Sequence, residues 1–193
     1  AAETEFGQVM NATGIGEVIE SNTSKLPVGT KVMGSLGWQR YAVMDAQKLE
    51  AITADAPLAA HLGPLGGTGL TAYFGLFRVG RPVPGDTVLV SGAAGATGSI
   101  VGKLAKLAGC RVVGIAGGPE KCAWLVNELG FEDASDYKND RVKAAIRAAC
   151  PKGVNVFFDN VGGTILNDAL ACIALNARVV ICGGISRYEQ AVL

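Results

Sequence analysis

The residues whose types and spacing could do chemistry are six in a row, Ala93, Ala94, Gly95, Ala96, Thr97 and Gly98, with Gly92 just before them. They fit the G-x-G-x-x-G turn with alanine in the first glycine place. In such a turn one glycine lets the backbone approach a pyrophosphate, and the last lets the following helix lie close on its sheet. The flanks decide whether this is more than a tight turn. Before it, Thr87, Val88, Leu89 and Val90 make an apolar, β-branched run just after the turn signal Pro84-Gly85-Asp86, which predicts a buried parallel strand. After it, residues 99–108 predict a helix with Ile100, Val101, Leu104 and Leu107 on one stripe, its free N–H groups facing the turn. An anion belongs there.

The next strand, residues 111–116, bears on which nucleotide would supply that anion. A site for NAD places Asp or Glu about 20 residues past the turn to bind the ribose 2′-hydroxyl. Here Gly117, Gly118 and Pro119 stand in that place, and Glu120 follows at a predicted helix start, where an acid suits the helix dipole. Lys121 comes next, and its ammonium can pair with a 2′-phosphate as a point charge. The pattern therefore favours NADPH over NADH.

Composition excludes several other roles. The chain has 193 residues, 17 basic and 17 acidic, and no basic run interleaved with aromatics, so nucleic acid is not an expected partner. No apolar run approaches a membrane span, and the first residues lack a signal-peptide pattern, which predicts a cytoplasmic protein. Cys110, Cys122, Cys150, Cys172 and Cys182 show neither a C-x-x-C pair nor zinc spacing; no metal site is expected, and most of them read as buried thiols. The single histidine, His61, reads as a helix-surface or hinge residue.

Those motifs need elements to position them. Residues 1–68 look mainly β, with a strand at 14–20, a turn at 26–32 leading into a second, and a third at 41–43. Short strands spaced by Gly and Pro suggest a small barrel or part of one. From residue 69 helices and strands alternate: helices at 70–77, 120–129, 140–149 and 164–175, and strands near 134–137, 154–159 and 178–182 join the unit already described. This predicts an α/β fold, a doubly wound parallel sheet with five strands.

The segments LGWQRYAV, GLTAYFGL, SGAAGATGS, VVGIAGGPEKCAWLVNELGF, DYK, FDNVGG and CGGISRY, in that order, resemble the medium-chain dehydrogenase/reductase superfamily. Within it the chain is similar to the zinc-independent branch of prostaglandin reductases, curcumin reductases and NADPH-dependent alkenal/one reductases. The resemblance implies part of a GroES-like β-barrel domain at 1–68 and a Rossmann-type NADP-binding domain at 69–193, truncated at its C-terminal end. Members of that branch are longer at both ends. The chain, which begins without Met and stops at EQAVL (189–193), is accordingly expected to be an internal fragment or an incompletely sequenced chain.

Carried over position by position, the resemblance assigns Ala96, Thr97, Gly98 and Ser99, with Gly95, to the cofactor phosphates. It assigns Lys121 and Tyr137 to the 2′-phosphate, and Asn160 to the ribose on the nicotinamide side. Cys182, Gly183, Gly184, Ile185, Ser186 and Tyr188 form the wall beside the nicotinamide, and Thr71 either contacts that ring or packs its helix. Tyr188 is the candidate catalytic residue. Gly67-Thr68 stands where relatives often have Met-Pro, so the hinge and substrate wall are expected to differ. With no metal-ligand set visible, the easier reaction is reduction of a carbon–carbon double bond conjugated to a carbonyl. Hydride would arrive at the β-carbon, hydrogen-bond donors would stabilise the enolate-like oxyanion, and a tyrosine or water would protonate the α-carbon. The expected substrate is an enone or alkenal and the expected assembly a homodimer. A quinone reductase of the same superfamily and a non-catalytic NADPH-binding protein are the alternatives.

Overall fold

The computed structural model describes residues 5–53 and 55–188, so the EQAVL segment and the ending it was read to mark lie outside the described residues. The chain divides into two compact units, the first running to Gly66 and the second starting at Gly67.

In the first unit, β1 (Gly14–Glu17), β2 (Lys31–Gly34) and β3 (Glu50–Ala51) form an antiparallel sheet in that order, with Ile15 opposite Met33 and Val32 opposite Ala51. The regular pairing of β1 ends at Glu17, short of the expected residue 20, and Ile19 is exposed. The third strand is not at 41–43: Tyr41 and Val43 are exposed and pair with nothing there. It is the shorter Glu50–Ala51, reached through a 3₁₀ turn whose entry Asp45 caps by accepting from the Gln47 N–H. Apolar β-formers make a strand only where a neighbour offers backbone to bond. His61 also departs from expectation. It lies in α1 (Leu58–Leu62), 9% exposed, and among the described residues its Nε2 has no hydrogen-bond partner.

The second unit begins with α2 (Gly67–Phe74), which passes into a wider π-helical turn (Gly75–Gly80). The widening has a steric setting: a Cβ on Gly75 would stand 2.7 Å from the Phe158 ring, and one on Gly80 3.0 Å from Val156. A parallel sheet follows, made of β4 (Thr87–Ser91), β5 (Arg111–Ala116), β6 (Asp133–Asp136), β7 (Val154–Asp159) and β8 (Ile173–Ile181). Four helices alternate with these strands: α3 (Ala96–Leu107), α4 (Pro119–Asn127), α5 (Val142–Ala149) and α6 (Gly163–Leu170). The spatial order is β6-β5-β4-β7-β8, so the topology reverses between β4 and β7. Every residue of β4 is buried, as a strand with helices on both faces requires. The helix expected over 164–175 stops at Leu170, because Ile173 already pairs with Val154 as the first residue of β8.

Two apolar layers hold the sheet. On one face Val88, Val90, Val112, Val156 and Phe158 meet Ala72, Leu76, Val101, Ala105, Leu125 and Phe131. On the other, Leu89, Val113, Ile115 and Phe157 meet Ile146, Ala149, Ile165 and Ala169. Each fully buried Val, Leu, Ile or Phe side chain in these layers contributes about 1.5–3 kcal/mol. Two polar ties secure the ends. Arg178 on β8 donates to the carbonyls of Gly80 and Arg81 and pairs with Asp86 at 2.7 Å. Glu132 pairs with Lys106 at the end of α3 and accepts from the Val112 N–H at 2.6 Å. Among the described residues no helix is long and apolar enough to cross a membrane.

Two predictions test this packing. A Cβ at Gly102 would overlap the Phe131 ring. Gly102→Ala is therefore expected to lower unfolding free energy in urea by about 1–3 kcal/mol, despite the better helix propensity of alanine. For Glu132, burial pushes the carboxyl up, but the Lys106 ammonium and the Val112 N–H outweigh it and hold it below its ordinary 4.5. A depressed carboxyl contributes stability that is present above pH 4.5 and is lost as the pH falls through its folded value. In Glu132→Gln the denaturation midpoint should be lower than wild type at neutral pH, and the two curves should converge in acid.

Candidate active site: a nucleotide rim at the strand ends

The candidate residues gather where β4, β7 and β8 end. Ser91, the last residue of β4, is 0% exposed and donates its hydroxyl to Asp159 Oδ1 at 2.6 Å. Asp159, the last residue of β7, is also 0% exposed; its carboxylate takes the N–H of Val161 at 3.1 Å and of Gly162 at 3.0 Å, and its carbonyl takes the N–H of Cys182 and Gly183. Asn160 donates its main-chain N–H to Ser91 Oγ at 2.9 Å and its side-chain amide to the Ser91 carbonyl at 2.7 Å. A buried carboxylate persists only when donors surround it. Here the donors to the carboxylate come from the end of β4 and the turn after β7, while the N–H groups that follow β8 bond the carbonyl of the same residue.

Beside this knot α3 begins. Gly95 is its N-cap and supplies no side-chain cap, so the N–H groups of Ala96, Thr97 and Gly98 have no intrahelical acceptor, while Ser99 is the first to bond back, to the Gly95 carbonyl at 2.9 Å. Gly98 lets the helix start so close to the turn. A Cβ there would overlap the Gly92 carbonyl oxygen and stand 2.9 Å from Ala93 Cα. Three free donors and the positive end of a 12-residue helix form a cradle for an anion.

After β8, Gly183 and Gly184 lead into a 3₁₀ turn, Ile185–Arg187. Ser186 fastens it to the β7 end, donating both its N–H (3.1 Å) and its hydroxyl (2.7 Å) to the Val161 carbonyl. Cys182 is exposed as a residue; burial of its sulfur and the nearby Asp159 charge push the thiol up. Tyr188 is 74% exposed, and among the described residues nothing bonds its hydroxyl.

A second half of the rim lies at the ends of β5 and β6. Lys121 is exposed in the first turn of α4, and among the described residues it forms no ion pair. The Tyr137 ring lies across Gly117, where a Cβ would meet its hydroxyl oxygen at 3.0 Å. The structure thus draws the turn before α3, Asn160 and the segment 182–186 together on one half, and Gly117 and Gly118 with Asp136 and Tyr137 on the other, where Lys121 follows in the first turn of α4. Thr71 stands apart from both hydrogen-bond networks; it is exposed on α2 and donates its hydroxyl to the Gly67 carbonyl at 2.8 Å.

Sequence reasoning named neither Asp159 nor Ser91 nor Asp136 as organising groups. A readable signal existed for Asp159, which ends the strand predicted at 154–159, whereas the strand predicted near 134–137 runs one residue past Asp136. Among the described residues no group of three His, Cys, Asp or Glu side chains could hold a metal ion.

A doubly wound sheet with a glycine turn opening onto α3 at its switch point defines a dinucleotide-binding unit. The zinc-binding dehydrogenase family matches residues 96–192, and the N-terminal domain of oxidoreductase matches residues 1–52. The chain belongs to the medium-chain dehydrogenase/reductase family, in its zinc-independent reductase branch. It is 44% identical over 195 residues to prostaglandin reductase 1 of Bos taurus, covering 98% of this chain and 59% of that protein. It is 38% identical over 187 residues to the NADPH-dependent curcumin reductase of Escherichia coli (strain K12), covering 96% of this chain and 54% of that one. Among solved structures it is similar to CurA from Vibrio vulnificus in complex with NADPH, with a TM-score of 0.91 at 37% identity, over 100% of this chain and 58% of that chain. The chain therefore spans somewhat over half the length of these relatives.

The hydroxyl of Ser91 and the carboxylate of Asp159 should be worth most where they are least accessible to water. Ser91→Ala leaves the Asn160 N–H without a partner and takes one donor from Asp159 Oδ1, which keeps the Val161 and Gly162 N–H groups; this is expected to cost about 1–3 kcal/mol in chemical denaturation. Amide hydrogen exchange at Asn160, Val161 and Gly162 should speed up together, while the amides of β5 keep their protection.

Proposed function

We propose that this chain forms the NADPH-binding part of a reductase that saturates the carbon–carbon double bond of α,β-unsaturated ketones and aldehydes. The observation that carries the reading is the rim itself. An anion cradle opens at α3, no carboxylate stands in the loop directly after β5, and an unpaired lysine sits in the first turn of the next helix. These residues fit a phosphorylated dinucleotide. Its pyrophosphate suits the N–H groups of Ala96, Thr97 and Gly98, and its 2′-phosphate suits Lys121 and the Tyr137 hydroxyl. The names of the similar proteins, a prostaglandin reductase and an NADPH-dependent curcumin reductase, support the same class of reaction.

In this reading NADPH supplies a hydride to the β-carbon of the substrate. The protein supplies position. Asn160 is held by Ser91 at the nicotinamide-side ribose, and the segment 182–186, fastened through Ser186, walls the ring. Tyr188, with its hydroxyl free, is the candidate donor of the α-carbon proton. Residues 1–68 are read as part of the GroES-like barrel and residues 69–193 as the nucleotide domain. A homodimer in the cytoplasm belongs to the same reading; all five cysteines are free, which suits a reducing compartment.

The test is NADPH absorbance with the protein expressed from its complete coding sequence. An α,β-unsaturated ketone should drive rapid oxidation of NADPH and slow oxidation of NADH. Lys121→Ala should raise KM for NADPH by about tenfold or more and leave that for NADH nearly unchanged. Turnover with benzoquinone and none with the enone would replace this reading by a quinone reductase. Equal effects of the substitution on both nucleotides would remove Lys121 from the phosphate site.

A further inference from the structure

The 2′-phosphate half of the rim contains a charge of the wrong sign. Asp136 is the last residue of β6, in register with Ala116 at the end of β5, and it is 8% exposed. Its Oδ1 accepts the N–H of Gly118 at 2.8 Å and of Lys138 at 3.1 Å, and its Oδ2 accepts the side-chain amide of Asn139 at 2.7 Å. The Gly118 N–H, foremost, and the Asn139 amide hold this carboxyl below the ordinary carboxylate range, so it is a full anion at neutral pH. A second carboxylate steadies it from behind, Asp140 Oδ2 accepting the Asp136 N–H at 2.7 Å and the Ser135 hydroxyl at 3.1 Å.

The consequence is geometric. One carboxylate bonds both the loop that leads into α4 and the loop that carries Tyr137. The Tyr137 N–H bonds the Ala116 carbonyl at 3.1 Å, and its ring covers Gly117, so the tyrosine and the start of α4 are fixed relative to one another through residues 116–118. Lys121 lies three residues beyond Gly118. By Coulomb's law alone, a carboxylate on this rim disfavours a bound phosphate. Its hydrogen bonds work the other way, because they set where the two groups meant for the phosphate stand.

We infer that Asp136 is a positioning residue for nucleotide choice: its carboxylate holds the segment 117–121 and Tyr137 in the arrangement that receives a 2′-phosphate. The inference rests on the NADPH reading proposed above. It makes two substitutions move in opposite directions. Asp136→Ala removes the charge and the hydrogen bonds together. Asp136→Asn removes the charge but keeps an amide oxygen for the Gly118 and Lys138 N–H groups, and its NH₂ can turn to the Asn139 amide oxygen.

The experiment is calorimetric titration of NADPH and of NADH into the full-length protein and its variants, with thermal unfolding as the check on folding. In Asp136→Ala the affinity for NADPH should fall about tenfold while that for NADH stays within about threefold, and in Asp136→Asn NADPH should bind as tightly as in wild type or more tightly. Asp136→Ala binding NADPH as tightly as wild type would overturn the inference, because charge would then outweigh position. Equal weakening of both nucleotides would also overturn it, leaving a merely structural tie, and so would loss of NADPH affinity in Asp136→Asn. Should Asp136→Ala fail to fold, Asn139→Ala carries the test, with NADPH expected to weaken about threefold and NADH to stay unchanged; unchanged NADPH binding there overturns the inference. A wild-type protein that binds the two nucleotides equally would overturn the NADPH reading itself and the inference with it, whereas wild-type discrimination kept in Asp136→Ala fails the inference alone.

Discussion

The second unit depends on a buried carboxylate. Asp159 gathers the ends of three strands: β4 through the Ser91 hydroxyl, its own strand through the Val161 and Gly162 N–H groups, and β8 through the Cys182 and Gly183 N–H groups on its carbonyl. A carboxyl group with no exposure is tolerated because each of its oxygens finds a donor within about 3 Å. Parallel strands end in unpaired backbone, and the knot turns those ends into a fixed edge. The cradle at α3, the Asn160 side chain and the 182–186 segment all take their places from it.

The rim has two halves with different physics. At β4, β7 and β8 the polar groups at the strand ends are main-chain N–H groups and a neutral amide, which act over short range and demand accurate placement. At β5 and β6 they include the exposed cation Lys121, which acts over longer range and is screened by salt. The first half depends on close packing of small residues. The second depends on how the first turn of α4, which carries Lys121, and the loop that carries Tyr137 are tied.

Much of this was legible beforehand because local chemistry and tertiary context agree. Residues 111–116 and 154–159 are strands in the structure with the bounds read from their apolar β-branched runs, and the glycine turn lies between strand and helix as its spacing requires. The misses share one cause. At 41–43 two strand formers, Tyr41 and Val43, lack a strand partner among the described residues, and at 171–175 a helical pattern gives way because Ile173 can pair with β7. Pairing partners are not written in a local window. Nor does burial of a polar residue show in its neighbours: His61, read as a helix-surface or hinge residue, is buried, and the roles of Asp159 and Asp136 depend on N–H groups that only the folded loops present.

The strand order also fixes a sequence of events at the ribosome. The central strand β4 finds its first neighbour, β5, soon after it, but its other edge waits for β7, with Val88 opposite Val156. At translation rates of about 5–20 residues per second, that edge stays open for roughly 3–14 seconds after β4 appears. During this interval a strand that is fully buried in the finished fold presents bare backbone to whatever is nearby, and the Arg178 clamp onto Asp86, which locks the far side, has not yet been made. Newly made chains should therefore depend most on chaperones over the stretch between β4 and β7, and a synonymous slowing of translation there would lengthen the exposure.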